Sequence, residues 1–270
     1  MASDSRTNAG VDNISTVSKM HVFGSNPGRV FVLMSSGNLA TTQEVIDRLQ
    51  RDLDNQVAPS LATCKYLFEA AEYIGQTLKS VIAAHIDSLA QSGVNGDATF
   101  ILGGQIQGQK QGLVMIYPQG NYISASEDTP FMQIGETKYG KPVLERVATA
   151  DMALEDAARL LLISLDSTAR SNLSVGPPFE LVIVPADRVT VARRLKYDKK
   201  SPELKQIRYF WHDGLKELFT RIPKFEWEIA QYQNYLPMQE QEQATKSPAE
   251  IVQEQQQAAQ GIFNKDQQPN

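Results

Sequence analysis

Apolar positions change their period several times along the chain, and each change marks an element. Arg29-Val30-Phe31-Val32-Leu33-Met34-Ser35 is β-rich, opened by Pro27-Gly28 and closed by Ser36-Gly37-Asn38, which predicts a strand and a turn. From Leu39 to Leu53 the spacing is helical, with Val45, Ile46 and Leu49 on one face and Thr41 or Thr42 as the cap. A second helix is predicted over 60–92, where Leu67, Ala70, Ile74, Leu78 and Val81 recur at helical spacing and Gly75 is a point of interruption. The period then falls to two. Strands are predicted over 98–104, 112–117 and 121–125, joined by turns as an antiparallel meander, with a brief fourth strand over 131–135.

Helical spacing returns over 140–147 and 151–173. A strand over 179–184 with a hairpin partner over 188–195 follows, and then a helix over 201–220. Helices come in pairs and strands in antiparallel groups, unlike the alternation of a doubly wound parallel sheet. The order suits an α+β fold, an αββα four-layer sandwich of two antiparallel sheets flanked by helix pairs. Residues 1–230 are expected to form one domain. Residues 231–270 are rich in Gln and Glu with little to bury, and disorder is expected there.

Composition narrows the function. The chain has 270 residues, 41% hydrophobic and 21% charged, enough for one large or two small domains. A net charge of −5 gives no general case for nucleic acid or a membrane surface. The local basic run Arg193–Lys200 is expected to be a solvated face or a subunit contact. The one cysteine, Cys64, excludes an intramolecular disulfide framework and fits a buried structural thiol. His21, His85 and His212 share no ligand spacing, so no metal or cofactor is expected. No apolar run is long enough to span a membrane, and no signal pattern opens the chain, so cytoplasmic residence is expected. Gly103–Gly108 lacks a following helix, which favours a turn between strands over a phosphate loop.

The chemistry-bearing segments are Ala2-Ser3-Asp4-Ser5-Arg6-Thr7, Lys19-Met20-His21-Val22, Ser35-Ser36-Gly37-Asn38-Leu39-Ala40, Phe100–Gln105, Gln133–Pro142 and Leu165-Asp166-Ser167-Thr168. In this order they resemble the Anbu family, the bacterial proteasome-related ancestral beta subunits within the N-terminal-nucleophile hydrolases. The resemblance spans residues 1–230. It implies a threonine-type peptidase subunit that assembles with copies of itself and cleaves peptides or unfolded protein. It further implies that Asp4 and Lys19 are the supporting acid and lysine, and that Gly37 donates its N–H to an oxyanion. Ser35 and Leu39 would shape the pocket for the residue before the cut. Asp166 would lie near the N-terminal amine, accompanied by Ser174. Glu136 departs from the serine that proteasome subunits often carry after the glycine matching Gly135.

The residues alone have plainer readings: an Asp4–Arg6 turn ion pair, a surface Lys19, a Gly37 serving only its turn and a solvent-facing Asp166. The family's nucleophile is a Thr at the mature N-terminus, whose hydroxyl needs a nearby base such as its own α-amine. That Thr and the first strand are expected upstream of Met1. The alternatives are an inactive structural or assembly subunit, and a hydrolase of small amides.

Overall fold

The computed structural model describes residues 1–8, 14–24 and 27–229. The proposed tail over 231–270 lies outside the described residues. The chain divides into two units, residues 1–208 and 209–270.

In the first unit, β1 (Ala2–Ser3), β2 (Arg6–Asn8), β3 (Ile14–Thr16), β4 (Met20–Phe23) and β5 (Arg29–Gly37) lead into α1 (Leu39–Asp54) and α2 (Leu67–Ser92). The meander follows as β6 (Ala98–Ile106), β7 (Gly112–Ile116) and β8 (Tyr122–Ser124). Then come α3 (Lys141–Val147), α4 (Leu154–Ser171), β9 (Phe179–Ile183), β10 (Arg193–Tyr197) and α5 (Pro202–Thr220). One antiparallel sheet has the order β4-β5-β6-β7-β8, another the order β1-β9-β10, and β2 pairs with β3.

Alternation along β5 builds the layers. Phe31 and Leu33 point to one face, where Val45 and Leu49 of α1 and Ile74, Leu78 and Val81 of α2 cover them. Val32 points to the other face and meets Met20 and Val182, so the two sheets pack against each other there. Beyond the second sheet, Phe179 is covered by Leu162 of α4 and Leu204 of α5. This is the αββα order that the hydrophobic pattern predicts. Burying both faces of β5 explains its run of consecutive apolar residues.

Several elements differ from expectation. The second helix begins at Leu67, not residue 60, and runs through Gly75 without a break. Cys64 is buried in the turn before it, with Sγ donating to Ser60 O at 3.1 Å. The cap of α1 is Asn38, whose Oδ1 accepts from Thr41 N at 3.1 Å. Thr41 and Thr42 instead donate their hydroxyls to Gly96 O and Leu39 O. Phe131–Gly135 is not a strand. The paired Ser126–Thr129 turn reverses the chain after β8, and Gly135 adopts φ +78° over Ser36. The hairpin partner of β9 starts at Arg193, because Gln105 and Asp187 exchange two hydrogen bonds, at 2.8 and 2.9 Å, that pin the intervening loop. Gly103 and Gly104 lie inside β6, and the turn comes later, at 107–109. The basic run begins on β10, whose Arg193–Lys196 stretch is exposed. Among the described residues, no helix is long and apolar enough to cross a membrane.

In the second unit, the described residues carry the last turns of α5 and a short helical turn at 226–229. Leu215, Leu218, Phe219, Ile222, Phe225 and Trp227 are all exposed there.

Candidate active site

Asp4 lies between β1 and β2 and is buried. Its Oδ1 accepts from Lys19 Nζ at 2.7 Å. Its Oδ2 accepts the backbone N–H groups of Arg6 and Gly176, each at 3.2 Å. Three donors converging from three segments fix the carboxylate's orientation and hold the ammonium in one place. Asp4 and Arg6 are not a turn ion pair. The Arg6 guanidinium reaches away, its Nη1 donating to Leu173 O at 2.8 Å and Val175 O at 3.4 Å. It packs so closely on Gly176 that a Cβ there would stand 2.5 Å from Arg6 Cζ, which only glycine avoids.

Lys19 precedes β4, and its backbone is held on two sides. Its carbonyl accepts from Ser35 N at 3.0 Å, which ties it to the end of β5. Next to it, Ser18 Oγ donates to Glu180 Oε2 at 2.5 Å and accepts from Met20 N at 3.4 Å. Among the described residues the one hydrogen-bond acceptor of Lys19 Nζ is Asp4. An ammonium has three N–H donors, so two can serve an adjacent amine or a developing oxyanion.

Ser174 sits in the loop that Arg6 and Asp4 grip. Its N–H and hydroxyl both donate to Asn172 Oδ1, at 2.9 and 2.7 Å. Asn172 Nδ2 in turn donates to Glu136 Oε2 at 2.8 Å. Glu136 therefore anchors the loop from the far side. Asp166 is not joined to this group. Its carboxylate accepts from Arg208 Nε at 2.6 Å, pairing α4 with α5. The backbone nitrogen of Met1 donates to Val182 O at 2.8 Å.

Ser35 is buried beside the Lys19 carbonyl, and Leu39 is half-buried at the start of α1. Gly37 ends β5 opposite Ala98 at φ +112°, where a Cβ would lie 2.3 Å from Asp97 O. A cleft of about 450 Å³ opens beside it, with Ser36, Gly37, Asp97, Thr99, Gln133 and Thr137 in its wall. Asp4, Lys19, Ser35 and Leu39 do not line that cleft. The structure thus joins Asp4, Lys19 and Ser35 by direct bonds, brings the Ser174 loop to them through Gly176, and pairs Asp166 with Arg208. Sequence reasoning missed Asn172, Gly176 and Glu180. The Asn172-x-Ser174 spacing is an Asx-turn signal that could have revealed the first.

Comparison with known proteins gives one consistent result. Among solved structures the chain is similar to Anbu (ancestral beta-subunit) from Yersinia bercovieri, at 42% identity and a TM-score of 0.78, covering 83% of this chain and 92% of that one. The helical assembly of the Anbu complex from Pseudomonas aeruginosa matches at the same identity, TM-score and coverage. Anbu from Hyphomicrobium sp. strain MC1 matches at 42% identity and a TM-score of 0.74, covering 83% of this chain and 93% of that one. No protein-family model and no curated protein matches the chain.

Proposed function

The chain belongs to the Anbu family, the proteasome-related ancestral beta subunits, and we propose that it is a self-assembling, threonine-type peptidase subunit. The observation that carries the reading is the Asp4–Lys19 pair, at 2.7 Å, with Asp4 fixed by two backbone N–H groups. A threonine hydroxyl attacks a peptide carbonyl only when its proton has a destination and the resulting charge is stabilised. In the proposed reaction that proton passes to the threonine's own α-amine while Oγ bonds to the carbonyl carbon. Lys19 lowers the energy of the alkoxide-like oxygen, and Asp4 keeps the ammonium charged and oriented. The Gly37 N–H receives the carbonyl oxygen as it becomes an oxyanion. Collapse breaks the C–N bond, the amine returns the proton to the leaving nitrogen, and water then hydrolyses the ester.

In this reading Ser174 and Asn172, anchored by Glu136, hold the loop that donates the Gly176 N–H to Asp4. Asp166 serves the α4–α5 pairing through Arg208. Self-assembly is proposed from the Pseudomonas relative, described as a helical assembly.

The test is chemical labelling of the protein isolated from its own cells with a peptide epoxyketone. That reagent forms a ring with both the hydroxyl and the amine of an N-terminal threonine. A single adduct mapped to such a threonine supports the peptidase. An assembled protein that forms no adduct and hydrolyses no peptide fits the non-catalytic assembly subunit instead.

A further inference from the structure

Two carboxylates, Asp4 and Glu180, are buried among the described residues, and the proposed reaction uses only the first. Glu180 is 8% exposed and sits in β9 between Ser3 of β1 and Lys196 of β10. Alternation along β9 puts its side chain on the face of Val182, which meets Met20 and Val32 between the sheets. A carboxylate held out of water is costly unless a partner bonds it. Lys196 Nζ stands 3.9 Å from Oε1, beyond hydrogen-bond reach. The group that does bond it is the Ser18 hydroxyl, 2.5 Å from Oε2, a distance typical of O–H donating to an ionised acceptor. With its one proton given to Glu180, Ser18 Oγ serves Met20 N, 3.4 Å away, as an acceptor. This bridge spans the residue between them, Lys19. The Lys19 carbonyl accepts from Ser35 N at 3.0 Å. Its backbone is therefore fixed by Ser35 from the first sheet and by Glu180 from the second. A lysine has a flexible four-carbon stem, so it delivers its ammonium to one place only when its root is held.

We propose that Glu180 is a positioning residue for Lys19, acting through the Ser18 hydroxyl. The inference rests on the peptidase reading above and adds a residue to its machinery. Asp4 sets where the Lys19 ammonium ends, and Glu180 sets where the Lys19 main chain begins. Losing the Glu180–Ser18 bond leaves Asp4 and Lys19 able to pair, with the ammonium no longer held in register with the reacting oxygen. A displacement of that kind costs rate, while the residues that bind substrate are untouched. The hydrogen bond carries the effect, because the one cation near Glu180 Oε1, Lys196, is exposed and outside bonding distance.

The experiment is steady-state peptide hydrolysis by protein isolated from its own cells, comparing wild type with S18A, E180A, E180Q and S18A/E180A. Urea unfolding and size exclusion check that each variant folds and assembles. The expected result is a kcat at least about tenfold lower in S18A and E180A, within the hundredfold that an ångström of misplacement costs, with KM unchanged. The double variant falls no further than either single one, because both remove the same bond. E180Q, whose amide oxygen still accepts from Ser18, keeps kcat within about threefold of wild type. An active wild type whose S18A and E180A forms keep its kcat overturns the inference and spares the peptidase reading. Losses that multiply in the double variant overturn it too, as does an E180Q as slow as E180A, which would assign the effect to charge. A wild type that neither hydrolyses peptide nor takes the epoxyketone overturns both readings. If E180A does not fold, S18A and E180Q decide: a slow S18A beside an active E180Q upholds the proposal, and any other pairing overturns it.

Discussion

Asp4 concentrates more of the account than any other residue, because one buried carboxylate answers three donors from three segments. Asp4→Ala leaves two buried N–H groups and an ammonium without their acceptor. The expected loss is about 2–4 kcal/mol of stability, read from urea unfolding. Cys64 gives a prediction with a pH sign. Burial raises its thiol from an ordinary value near 9 to about 11. At pH 8 the folded protein should react with iodoacetamide about a hundredfold more slowly than the urea-unfolded chain, as thiol labelling measures. Between pH 9 and 11 the unfolded thiol ionises first, so this group's contribution to stability is lost as pH rises through that window. At this scale the sequence showed Asp4 and Lys19 as a pair through family order, since their partnership spans fifteen residues and no local pattern encodes it. The partner of Asp166 was not legible, because an acid on a helix is silent about which neighbour it meets. Arg208, its partner, lies far along the chain on α5.

Elements were legible wherever period and burial agreed. β5, α1, the β6–β8 meander and α4 follow from their apolar spacing to within a few residues. The misplacements came where side chains, not ladders, set the backbone. Phe131–Gly135 has strand-like composition, yet the Ser126–Thr129 turn and the positive φ of Gly135 keep it out of the sheet. The start of β10 is set by Gln105 gripping Asp187, a contact between distant segments that no window of sequence contains. The β5–α1 junction yields two expectations. Asn38→Ala removes the α1 cap and should cost about 1 kcal/mol in thermal or urea unfolding. Gly37→Ala forces a Cβ against Asp97 O and should cost about 2–3 kcal/mol. A Gly37→Ala variant as stable as wild type would show that the junction relaxes freely.

At the scale of the whole molecule, the sandwich explains why so short a segment as β1–β2 governs the site. Asp4 is reached from the segment leading into β4 through Lys19, from β2 through the Arg6 N–H, and from the loop after α4 through Gly176. One carboxylate therefore ties the segment after β1 of one sheet to the segment before β4 of the other. The most direct measurement of the account is peptide hydrolysis by the assembled protein isolated from its own cells, compared with Lys19→Ala made in the same cells. The account predicts at least a ~10²–10³-fold fall in rate, as when one preorganised charge-stabilising group is removed, with assembly intact. Hydrolysis by Lys19→Ala within a few-fold of wild type would contradict it.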